Sequence, residues 1–178
     1  VIKDNHGESD AYKVVRVFNP DTERFGADIV TIDARANIGH INMVKRFLIG
    51  YLSTAYEYSA QDAEVLSQFI LYYNARNRGN IDALKAKYSD EVISNLNQAT
   101  LGIDRSYRNW AGKTQLVIPL KKNVVRPGRT DIDNKEIQDN KANPDEQKKI
   151  EEVQQRRNEE DTNRLIQKEQ ELQKKQEE

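Results

Sequence analysis

The sequence predicts an α+β fold: a small antiparallel sheet, built from a hairpin and a returning strand, packed on a helical cluster and followed by a long charged C-terminal helix. Three observations lead there. Two β-branched runs, "YKVVRVF" and "ADIVTID", flank the turn-forming "NPDTERFG". After "ARANIGH" the apolar period changes from two to about 3.6. Every Phe, Tyr and Trp lies at or before Trp110, so the core must come from the first two-thirds of the chain.

Residues 1–11 are polar and lack periodicity, as a loose terminus does. The hairpin is expected over Tyr12 to Phe18 and Ala27 to Asp33, with Pro20 and Gly26 as turn residues. Ile41, Val44, Leu48, Tyr51, Leu52 and Ala55 fall on one stripe, which predicts a helix over Ile41 to Tyr58. Gly50 inside it costs about 1 kcal/mol against alanine, which suggests a close helix contact there. Ser59 with Asp62 three residues later reads as an N-cap with an acidic first turn. The second helix turns Val65, Leu66, Phe69, Ile70 and Tyr73 inward and ends near "RNRGN", where Gly79 suits a left-handed cap. Asn80 can cap a third helix through Tyr88, and Ser89 a fourth from Asp90 to Asn97. "TLGIDRSYRNWAG" reads as irregular or briefly helical. In "TQLVIPL", Leu116, Ile118 and Leu120 alternate with Gln115 and Val117, and Pro119 places this third strand at a sheet edge.

The head therefore spans residues 12–122. Residues 123–143, rich in Asn, Asp and Lys with Pro127 and Gly128, read as a linker. Asn143 then caps and Pro144 takes the first helical position. Of the 34 residues after Pro144, 19 are charged, with favourable pairs Asp145 to Lys149, Glu152 to Arg156, Glu160 to Arg164 and Glu171 to Lys175. Residues 144–178 are thus a charged helix: a solvated single helix or weak coiled coil, or a self-association seam. A sustained heptad is interrupted at Arg156, Arg157 and Asp161.

The chain has no cysteine, which excludes disulfides and thiol catalysis. No run of about 18 apolar residues is present to span a bilayer. Opening at Val1 and stopping within a charged repeat at Glu178, it reads as a processed or truncated piece of a longer protein. His6 and His40 stand far apart and lack the partners that a metal or general-base role needs. "GKT" invites a phosphate-loop reading, but Tyr107 occupies the position five before Gly112 where that loop requires glycine, and a strand follows where a helix should. Gly112 is read instead as a turn and Trp110 as a plug at the core edge. No nucleotide, cofactor or metal is expected. Asp28 and Asp33 flank the second strand, and Asp21 and Glu23 sit in the hairpin loop; they are read as solvated strand-end charges, with paired-carboxylate acid/base work as the alternative. The tyrosines of "YEY" and "YY", with Arg76 and Arg78 close by, are read as bordering the core; binding a sugar or nucleic acid is the alternative.

One charge feature points outward. Between residues 105 and 129 stand Arg105, Arg108, Lys113, Lys121, Lys122, Arg126 and Arg129, with no acidic residue among them. They form a candidate surface for an anionic or acidic partner, or for the acidic tail folding back. No recognised nucleic-acid module accompanies them.

"VKRFLIGYLSTAYEY", "ILYYNARNRGNID" and above all "YRNWAGKTQLVIPLKK" resemble the amino-terminal domain of the Borrelia 83/100 antigen family, in register from Tyr12 to Lys122. The resemblance implies an exported spirochaetal envelope protein, periplasmic or at the cell surface, with a signal peptide before this head and a charged helical middle after it. It carries over no catalytic residue. It implies a structural or binding protein, with a surface adhesin for host receptor or matrix as the alternative and an enzyme acting on envelope polymers as a third reading.

Overall fold

A computed structural model describes residues 11–19, 23–36, 38–104, 113–122 and 130–177. The hairpin forms as expected, with β1 (Tyr12–Val17) antiparallel to β2 (Ala27–Ile32) in a register from Tyr12 opposite Ile32 to Val17 opposite Ala27. β3 (Thr114–Pro119) returns antiparallel to β2, from Ile32 opposite Thr114 to Ala27 opposite Pro119. The order β1-β2-β3 puts β2 at the centre. Central position explains why its Ile29, Val30 and Ile32 are buried on both faces rather than alternating. Gly26 is dictated by space: a Cβ there would stand 2.5 Å from the Val17 carbonyl oxygen.

A 3-10 turn, Ala34–Ala36, leads to α1 (Ile41–Ala55), whose N-cap is His40; its Nδ1 accepts from the Asn42 amide at 3.1 Å. α1 ends three residues before the expected Tyr58. Glu57 adopts a φ of 60°, which reverses the chain so that Tyr56 and Tyr58 both turn into the core. α2 (Ala60–Arg76) follows with Ser59 as cap, its Oγ accepting from the Asp62 amide at 3.1 Å, and buries Leu66, Phe69, Ile70 and Tyr73. Gly79, at φ 66°, supplies the left-handed residue after α2 and donates to the Leu101 carbonyl.

α3 (Ile81–Lys85), capped by Asn80, stops short of Tyr88 because the backbone there pairs with Phe25: Phe25 N donates to Lys87 O at 2.9 Å and Ser89 N to Phe25 O at 3.0 Å. α4 (Asp90–Ser94) is capped by Ser89 and also ends earlier than expected.

β3 lies at the sheet edge, and that edge is sealed. Gln115 donates to Thr100 O and accepts from Gly102 N. The Asn74 side chain acts as a one-residue strand, donating to Val117 O at 3.0 Å and accepting from Val117 N at 2.7 Å. Asp133 N donates to Pro119 O, so the proline at the end of β3 leaves no neighbour unsatisfied. All six residues of β3 are buried, not only the alternating set. Gly102 is held at φ 83°, where a Cβ would meet the Asn74 carbonyl oxygen at 2.5 Å.

The interval assigned to a linker carries structure. Ile132 forms a bridge with Leu120, α5 (Asn134–Ile137) is capped by Asp133, and both Ile132 and Ile137 are buried. Two isoleucines in a polar stretch suffice to dock a single turn. By contact the chain divides into two compact units, Val1–Asp139 and Asn140–Glu178. The second carries α6 (Pro144–Glu177), whose cap is Asn143 with Oδ1 accepting from Glu146 N at 2.9 Å. Leu165, Ile166 and Leu172 are exposed along it. Trp110, Gly112, Pro20 and Asp21 lie outside the described residues.

Gly50 departs from its expected role. It is exposed on α1, and a Cβ added there meets nothing within 4 Å, so no close helix contact requires it. Gly50→Ala should raise stability by about 0.5–1 kcal/mol, because alanine costs less backbone entropy in a helix interior. Chemical denaturation of the two forms is the check, and a loss of stability would mean that α1 has a neighbour at this point.

Candidate functional site

Three groupings of polar side chains are rich enough in titratable groups to carry chemistry. The first is centred on Asp28. The hairpin register places Arg16 directly opposite Asp28, and the guanidinium forks onto the carboxylate through Nε at 2.7 Å and Nη2 at 2.8 Å. From α1 Tyr51 donates its hydroxyl to Oδ2 at 2.5 Å, and Tyr56 donates to the same oxygen. Arg16 also lies over the Tyr56 ring, 5.2 Å from its centre. Tyr12, Phe47 and Tyr51 stack alongside, with Tyr12 and Phe47 centroids 4.4 Å apart.

Asp28 is wholly buried, so the solvated strand-end reading fails for it. A carboxylate in that position needs compensation, and four donors supply it. Burial, then the Asp28 charge, pushes the Tyr56 phenol far up, and Tyr51 is raised by the same causes in the same order. The Asp28 hydrogen bond raises Arg16 further above its ordinary range. The shifts of Arg16, Tyr51 and Tyr56 all favour the protonated donor, as suits groups that compensate a buried carboxylate. Asp33 is half-buried, and there the Arg35 hydrogen bond at 2.9 Å, and more weakly the charge of Lys113, hold its carboxyl below the ordinary range.

The second grouping ties α5 to α2. The Tyr73 and Tyr88 hydroxyls lie 2.7 Å apart, Tyr73 donates to Glu136 Oε1 at 3.1 Å, and Lys87 pairs with the same oxygen at 2.5 Å. Desolvation raises both phenols strongly. Arg76 sits over the Tyr73 ring and pairs with Asp139 at 3.4 Å, while Arg78 pairs with Asp104 at 2.9 Å. Tyr73 therefore packs inward, while Tyr72 is half-buried with its hydroxyl accepting from Gln68 Nε2 at 3.0 Å, and both arginines face acids.

The third is the basic stretch. Lys113 is exposed at the start of β3, and Lys121 is half-buried with its amide bonded to Asp131 O. Lys122 is already engaged: its Nζ donates to Glu23 O at 2.9 Å and lies 4.2 Å from the Phe25 ring centre. At about 3.3 Å per residue, Lys113 and Lys121 stand roughly 26 Å apart along the strand. They cannot converge on one small anion, only line an extended one. Arg105, Arg108, Arg126 and Arg129 lie outside the described residues.

The Arg16–Asp28 pair was missed at the level of sequence, although a hairpin centred on residue 22 places these two residues opposite each other on one face. Among the described residues no group of three or more His, Cys, Asp or Glu is arranged to hold a metal ion, and no helix is long and apolar enough to cross a membrane.

No curated protein and no solved structure matches the chain. A family model described as Borrelia P83/100 protein matches residues 1–178, the whole chain, in agreement with the likeness carried by "VKRFLIGYLSTAYEY" and "YRNWAGKTQLVIPLKK". The chain therefore belongs to the Borrelia P83/100 family, a family of spirochaetal antigens.

Proposed function

We propose that the chain is a non-enzymatic structural or binding protein of the spirochaetal cell envelope, a head over residues 12–122 joined through 123–143 to a charged helical spacer over 144–178. The head docks an extended anionic partner, a protein or an envelope or host polymer, along the basic stretch from Arg105 to Arg129. Family membership supports the envelope assignment. The observation that carries the binding reading is the position of Lys113 and Lys121, at the two ends of one strand in a stretch without acids. At 34 residues and 1.5 Å per residue, α6 provides a spacer about 50 Å long.

Poly-glutamate is a suitable probe. Binding to the chain should weaken steeply with salt, since exposed charges are screened beyond about 8 Å at physiological ionic strength. Reversing Arg105, Arg108, Lys113 and Lys121 to Glu should abolish it while the melting temperature holds; Lys122 is spared because it braces Glu23 and Phe25. Binding that persists in the reversed variant would reject this surface. Proteinase treatment of intact cells separates periplasmic placement, where the head is protected, from a surface adhesin, where it is cleaved. Hydrolysis of an envelope polymer that disappears on substituting the head's Asp and Glu residues would establish the enzyme reading instead.

A further inference from the structure

The three-stranded sheet has one sealed edge and one bare edge. On β3, every outward backbone group from Gln115 to Pro119 that can pair does so, through Thr100, Gly102, Asn74 and Asp133. On β1 the bond from Asp33 N to Ala11 O, at 2.9 Å, sets the alternation. Residues 13, 15 and 17 bond to β2, so Tyr12, Val14 and Arg16 turn their N–H and C=O groups away from the sheet. Among the described residues none of these six groups has a hydrogen-bond partner. An edge of this kind is a template for another strand.

We propose that the bare edge of β1 pairs antiparallel with β1 of a second copy of this chain, about a twofold axis at Val14, to form one continuous six-stranded sheet. The choice of a second copy rests on register. With the axis at Val14, Tyr12 faces the partner's Arg16 and Val14 faces the partner's Val14, so all six outward groups of each copy are bonded. The same register sets Lys13 opposite the partner's Val15, on the other face of the sheet, and aligns Tyr12 with an arginine, a favourable aromatic–cation neighbour. Neighbouring registers are worse. A shift by two residues one way opposes Lys13 to the partner's Lys13; the other way carries Tyr12 beyond the end of the partner's β1. An odd shift turns bonding groups toward residues whose own groups already point at β2. A closed, self-complementary contact of this type stops at the dimer. It is separate from self-association through α6, and it does not depend on an anionic partner for the basic stretch.

The test is the mass and crosslinking of the full 178-residue chain. Sedimentation at about 100 µM, suited to the small end of interface sizes, should give twice the 20.6 kDa monomer mass. Val14→Pro removes an outward N–H without touching the β1–β2 ladder, and should return the mass to that of the monomer with the melting temperature little changed. Because the chain has no cysteine, Val14→Cys gives a clean second readout that needs no disruptive variant. Opposed residues in this pairing lie about 5.5 Å apart at Cα, within disulfide reach. Oxidation should link Val14→Cys into a covalent dimer while Thr54→Cys, on the exposed side of α1, stays monomeric. A monomer at this concentration would overturn the proposal. So would a dimer in which Val14→Cys links no faster than Thr54→Cys, since self-association would then lie elsewhere.

Discussion

Asp28→Asn should lower the stability of the folded chain by about 3 kcal/mol, the low end of the cost of removing one partner from a buried ion pair. The low end applies because about a third of the Arg16 side chain is exposed, so the guanidinium stranded by the substitution can regain some water. The remaining cost falls on donors that cannot move. Tyr56 is wholly buried and would have to direct its hydroxyl at an amide that offers one acceptor oxygen where the carboxylate offered two. Arg16→Met should cost less, since Asp28 keeps both phenols as donors and methionine retains much of the packing over the Tyr56 ring. The double substitution should cost less than the sum of the two, the coupling measuring the pair itself. Equilibrium denaturation of the four forms gives that coupling. A loss below about 1 kcal/mol for Asp28→Asn, the value of an exposed pair, would mean that water reaches this carboxylate.

What the sequence disclosed divides along the range of the interactions concerned. Ser59, Asn80, Ser89 and Asn143 were legible as caps because each bonds an amide three residues along, at Asp62, Ala83, Val92 and Glu146. Strand and helix periods were legible for the same reason. Asp28 was not, because its compensation comes from Arg16, 12 residues away, and from Tyr51 and Tyr56, 23 and 28 residues away. A carboxylate at a strand end shows nothing locally that separates burial from solvation. Asn74 is a comparable case: on the helix pattern it is one more polar position, whereas in the fold it completes an edge of the sheet 43 residues later. The early ends of α1 and α3 also have non-local causes, the first in two tyrosines that must both reach the core and the second in pairing between Phe25 and the chain around Tyr88. For the candidate site, the basic stretch could be found by composition, but only the strand geometry shows that its lysines are strung out rather than gathered.

Raising the pH should unfold the head cooperatively, beginning at about pH 10. Tyr56, Tyr73 and Tyr88 are buried phenols whose pKa values are pushed up, in each case by desolvation first, and then by Asp28 for Tyr56, by Glu136 for Tyr73 against a lowering bond with Tyr88, and by Tyr73 and then Glu136 for Tyr88. In the unfolded chain they lose their protons near pH 10, whereas the folded chain retains them. Above that pH the native state binds more protons than the unfolded state, so stability falls as pH rises. Below it both states are protonated and the full contribution is present. Each such group contributes a slope of about 1.4 kcal/mol per pH unit, so three give roughly 4 kcal/mol per unit until the folded pKa values are reached. A margin of ordinary size, about 5–15 kcal/mol, is therefore exhausted within a few pH units at most. Absorbance at the phenolate band, followed together with circular dichroism, should show Tyr51, Tyr56, Tyr73 and Tyr88 ionising only as the dichroism collapses. If every phenol ionised near pH 10 while the dichroism stayed native, the hydroxyls of Tyr56, Tyr73 and Tyr88 would have to be open to water, and the two networks anchored by Asp28 and Glu136 would not be what holds α1, α2 and α5 to the sheet.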